Sequence, residues 1–100
     1  MIELPELARA AIEILAANPA QRDVEIDTAA FTRAQVSELI DTVFEEGAAA
    51  GIAIKGVVVD PMQVPLPGDA EFINAFRRDG RLVFLDINVD DKVIVKRAKP

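Results

Sequence analysis

The chain contains no cysteine, histidine, tyrosine or tryptophan, and Ser37 is its single serine. Without cysteine there is no disulfide framework and no thiolate metal site, and the expected location is the cytoplasm. Without histidine the usual neutral-pH general base is missing, and a Ser-His-Asp arrangement lacks its central member. Apolar runs are short. None approaches the roughly 20 residues that span a bilayer, so no membrane partner is expected. The opening residues, MIELPEL, lack a basic stretch followed by an apolar core and do not read as a secretory signal. No glycine-rich phosphate loop and no metal-ligand motif occurs, so neither a cofactor nor a metal is expected. What remains is the chemistry of carboxylates, lysine and arginine.

One hundred residues suffice for one domain, 1–100, around a modest core. The net charge of −6 is unevenly spread. Residues 1–60 hold 11 acidic and 4 basic side chains, a net of −7, whereas residues 61–100 hold 6 acidic and 7 basic, a net of +1. An acidic chain of this kind repels a phosphate backbone, which argues against direct nucleic-acid binding.

The clearest local signal begins at Phe31. Thr32 followed by Gln35 is a capping box, and Phe31 with Val36 can close a hydrophobic staple over it. Val36, Leu39, Ile40, Val43 and Phe44 then recur at helical spacing. Gly47 and Gly51 both compete as the end of this helix. Ending at Gly47 would set Glu45 and Glu46 against the negative end of the helix dipole, so the longer helix, with Gly47 inside it, is expected. There Gly47 would admit a close neighbour.

The other elements follow from simpler patterns. Leu4, Leu7, Ala8, Ala11, Ile12 and Leu15 form a first helical stripe, opened by Pro5 and stopped at Asn18-Pro19. Arg22–Asp27 alternates as a short edge strand. Ile52–Val59, interrupted only by Lys55 and Gly56, suits a central strand covered on both faces. The stretch Asp60–Gly68, with three prolines, reads as an ordered loop. Asp69 is the expected N-cap of a short helix burying Phe72, Ile73 and Phe76, closed by Asp79-Gly80. Arg81–Val89 and Val93–Arg97 read as a β-hairpin with Val89 opposite Val93, while Leu82, Phe84 and Ile94 imply a second, partly covered side. The expected fold is α/β, with α+β as the variant: order α-β-α-β-α-β-β, a four-stranded mixed sheet ending in an antiparallel hairpin, and helices packed on it.

Several residue groups are candidate sites. Asp27 and Asp60 each follow a strand, and on parallel neighbours both carboxylates would emerge at one sheet edge, able to hold a divalent cation or divide acid and base roles. The plainer account is that aspartate caps turns at strand ends. Asp86, Asn88 and Asp90 imitate the start of a calcium loop, but Asp91 and Arg97 stand where glycine and glutamate are required, so that reading fails. Glu38, Asp41 and Glu45 form an acidic helix stripe with no lysine to pair it: either a solvated face or a docking face for a basic partner. Met62, Val64 and Leu66 alternate along the proline-rich loop, as an apolar contact surface or as a lid over the core. The basic residues near the end of the chain either guard an edge strand or form an interface. The function expected is a small, acidic, non-catalytic interaction module. It would dock a protein partner, a basic one by preference, or a second copy of itself. A carboxylate-dependent enzyme or ligand binder at Asp27 and Asp60 is the alternative.

Overall fold

A computed structural model describes residues 3–65 and 74–99. Helix α1 (Leu4–Ala17) buries the stripe Ala8, Ala11, Ile12 and Leu15. Helix α2 (Arg33–Ala49) starts at the capping box: Thr32 Oγ1 accepts from the Gln35 N–H at 3.1 Å, and Gln35 Oε1 accepts from the Thr32 N–H at 2.9 Å. It runs through Gly47 and ends on Gly51, which takes the left-handed φ of 73°. The N–H groups of Gly51 and Ile52 reach back to the carbonyls of Ala48 and Gly47, the 5→2 and 6→1 bonds of a Schellman end. Gly47 is buried, and a Cβ there would lie 2.8 Å from Cγ1 of Ile54. The helix therefore tolerates glycine because the next strand passes against it.

The strands are β1 (Asp23–Asp27), β2 (Ile54–Val59), β3 (Ala75–Arg78), β4 (Arg81–Leu85) and β5 (Lys92–Arg97), with a 3₁₀ turn at Pro61–Gln63. They form one mixed sheet in the order β1-β5-β2-β4-β3. β5 is antiparallel to both β1 and β2, β2 is parallel to β4, and β3 is antiparallel to β4. Strands β1, β2 and β4 thus point the same way. The result is an α+β fold with, among the described residues, two helices and a five-stranded mixed sheet.

The pairing register sorts the side chains by face. Val24, Val95, Val57, Val83 and Phe76 align in one row, and Ile26, Val93, Val59 and Leu85 in the next. Both rows meet α1 and α2, and together they make the core. Each fully buried valine contributes roughly 1.5 kcal/mol or more of burial free energy. Arg97 ties the ends of this layer together: its guanidinium donates to the carbonyls of Leu15 and Asn18 at 2.8 and 3.2 Å. A cation is thereby set against the carboxyl end of α1, where the helix dipole favours it.

Four expectations are corrected. The helix closing at Asp79-Gly80 is replaced, over Ala75–Arg78, by strand β3; Asp69–Ile73 lie outside the described residues. Asp79 and Gly80 both take positive φ, 52° and 79°, and join β3 to β4 as a two-residue hairpin turn. Among the described residues the sheet accordingly has five strands rather than four. The hairpin between Arg81–Val89 and Val93–Arg97 does not form, because β2 lies between β4 and β5. Strand β4 ends at Leu85, leaving Ile87 74% exposed. Finally, β2 is central, and among the described residues no helix stands over its second face.

Candidate functional site

Three aspartates end the three co-directional strands, and each is used in the same way. Asp27 accepts from the Ala29 N–H at 2.9 Å, Asp60 from the Met62 N–H at 2.8 Å, and Asp86 from the Asn88 N–H at 2.8 Å. These are Asx turns, in which the side chain stands in for a backbone carbonyl and closes the turn. Asp27 and Asp60 do share one edge of the sheet, but β5 separates their strands, so they lie two strand spacings apart, roughly 10 Å. Lys92 pairs with Asp27 in register on the intervening strand. Among the described residues, no group of three or more acidic side chains is placed to hold a metal ion. Nearby, buried Thr28 exchanges hydrogen bonds with Gln63, whose amide also reaches Asp91 at 3.4 Å. The arrangement fastens three loops to one another.

The acidic helix stripe is divided. Asp41 is held by Arg78 at 3.0 Å and lies 4.0 Å from Arg81, both on the β3–β4 hairpin; Arg78 also bonds Ser37, and Arg81 lies over the Phe44 ring. Asp41 is therefore a clamp between hairpin and helix rather than a free docking charge. Glu38 and Glu45 remain exposed. The proline-rich loop is divided too. Val64 is 1% exposed and belongs to the core, whereas Met62 is 79% exposed. The Val64 carbonyl accepts from Arg33 at 2.7 Å, which pins this part of the loop to α2. Leu66 lies outside the described residues.

A concave feature lies elsewhere, on the sheet face away from the helices. Glu25, Ile94, Val58, Phe84 and Ala75 align across all five strands in one row of this face. Ile94, Val58 and Phe84 are half-buried. Gly56 explains how the Phe84 ring lies down on the sheet, since a Cβ at Gly56 would come 2.9 Å from the ring and 2.6 Å from the Leu82 carbonyl. Lys55 holds its ammonium 5.8 Å from the centre of the same ring, a cation–π distance. Around Val58 and Phe84 runs a trough of about 540 Å³, bordered by five basic and two acidic side chains. A net positive border on a chain of −6 is a local reversal of field. Lys96 is paired to Asp23 at 2.8 Å and Arg97 is committed to α1, while Lys55, Lys99 and Arg22 make no ion pair among the described residues.

The sequence pattern draws attention to Leu82, Phe84 and Ile94 but assigns them to a second covered side. The signal for an open face is the pair of lysines that alternate with Ile94 along β5, Lys92 and Lys96. Compared with protein-family models, curated proteins and solved structures, the chain gives no match.

Proposed function

We propose that the chain is a non-catalytic protein-interaction module that seats its partner on the open face of the sheet. One observation carries the reading: an apolar row, Ile94, Val58 and Phe84, lies uncovered by any described helix and is bordered by cations on an otherwise acidic protein. Apolar floors rimmed by charge are where partners dock, the floor supplying affinity and the rim supplying rate and selectivity. The fitting partner carries carboxylates around an apolar anchor. A regulatory, inhibitory or assembly role is compatible with such docking. The acidic helix face would need a basic partner instead, and with Asp41 bound to the hairpin it retains only Glu38 and Glu45 for that purpose.

Capture of partners from host-cell extract separates the two faces. Wild-type protein and E38K/E45K are expected to retain the same partner, and K55E/K99E to lose it. Retention by K55E/K99E together with loss by E38K/E45K would transfer the function to the helix. The alternative, a carboxylate-dependent site at Asp27 and Asp60, has both carboxylates engaged in turns against it. Stabilisation of the fold by added divalent cation, abolished in D27N/D60N, would revive it.

A further inference from the structure

Among the described residues the large exposed hydrophobics are Ile14, Met62 and Ile87. Two of the three sit at one pole of the molecule, in the loops that leave the carboxyl ends of β2 and β4. That pole is a single bonded unit. The Asp86 N–H donates to the Val59 carbonyl at 3.1 Å, the Thr28 N–H donates to the Asp91 carbonyl at 2.8 Å, and Gln63 bridges Thr28 and Asp91. It is also acidic: Asp60, Asp90 and Asp91 lie in the same loops, with Asp86, which also borders the trough. The pole therefore presents apolar anchors among carboxylates, which is the chemistry the trough requires of its partner.

We infer that the occupant of the trough is a second copy of this chain, which inserts Met62 and Ile87 over Val58 and Phe84 while its aspartates face Lys55, Lys99 and Arg22. The inference rests on the reading of the trough as a docking face and names its partner. Two features favour self-pairing over a flexible acidic peptide. The pole is already ordered by its own hydrogen bonds, so little conformational freedom is lost on docking. Its anchors are also the side chains that a lone molecule leaves in water. Lys55, on the trough border, and Asp60, on the pole, stand at opposite ends of β2. In the head-to-tail form of the contact inferred here, each added copy offers a fresh pole or a fresh trough.

Light scattering coupled to size exclusion, on the purified full chain, tests this without any unknown ligand. Wild-type mass should rise with concentration at low salt and fall at high salt, because the contacts between the aspartates and the cationic rim are screened. K55E/K99E and M62S/I87S, all changes at exposed positions, should each weaken association by about tenfold or more while melting like the wild type. Mixing the two variants gives the decisive arm. One retains its pole and the other its trough, so they should form a 1:1 dimer and nothing longer. A wild type that stays monomeric at low salt up to millimolar concentration overturns the inference, as does an associating wild type whose two variants fail to pair. In the first case host-partner capture through Lys55 and Lys99 would still stand or fall separately, so self-pairing and the docking face fail by different results.

Discussion

On β5, Val93 and Val95 are sealed beneath the helices, while Ile94 between them stays half-exposed on the opposite face. The three side chains share one backbone and are similar in size. What differs is the layer above them: two helices on one side and, among the described residues, no helix on the other. The covered face is held by packing, and changes there should be read out as stability. The open face adds little to stability, and changes there should be read out as binding. On the proposed reading, one sheet would keep stability and binding apart by the alternation of its side chains.

Deep in the covered side, Leu39→Ala should destabilise by about 3 kcal/mol in urea denaturation, the usual cost of a buried leucine truncation. A sharper version uses neighbours on one strand. Val95→Ala should cost about 2 kcal/mol and Ile94→Ala under about 1 kcal/mol, although isoleucine loses more atoms. Equal costs would mean that the second face is a core in its own right. Gly56→Ala joins the faces: the new methyl meets a carbonyl that cannot turn aside, so about 2 kcal/mol should be lost and the Phe84 ring displaced from the trough floor. Thr32→Ala removes the α2 cap, and a melting experiment should register about 1 kcal/mol. Smallest is Asp41→Asn. Because both members of the pair with Arg78 are about one-third exposed, its loss should stay below about 1 kcal/mol and leave host-partner capture unaltered. A capture defect in that variant would return the acidic helix to consideration.

Elements governed by neighbours along the chain are legible in the residues alone. The capping box at Thr32, the passage of α2 through Gly47 and the strand character of Asp23–Asp27 are all local. Gly47 can even be assigned its reason, a close neighbour, although not that the neighbour is Ile54. Asp79-Gly80 shows where locality runs out. Positive φ ends a helix as readily as it turns a hairpin, and only the pairing of Ala75–Arg78 with Arg81–Phe84 decides between them. In the same way, alternation along Val93–Arg97 identifies which side chains are buried but not which strand lies alongside. A β4 partner and a β2 partner bury the same valines, and it is β2 that pairs.

The candidate sites divide on the same ground. Asp27 and Asp60 stand at strand ends as their sequence context implies, and their turn bonds are local enough to be foreseen. Asp41 is not legible as a clamp, because its arginine partners come from 37 and 40 residues away, on a hairpin the sequence pattern does not disclose. The apolar row on the second face needs the full strand order. Phe84, Val58 and Ile94 come together only when β2 is placed between β4 and β5.

β5 joins β1 to β2, yet it is the last strand of the sheet along the chain. During synthesis, β1 and β2 would emerge from the ribosome with no bridge between them, and their valines would have to wait until residue 97 had cleared the exit tunnel. Folding is then closed by its final strand and is dominated by distant pairings, which makes it slow for the size of the chain. Nascent chains halted before Lys92 should remain protease-sensitive however much of α2 they already contain.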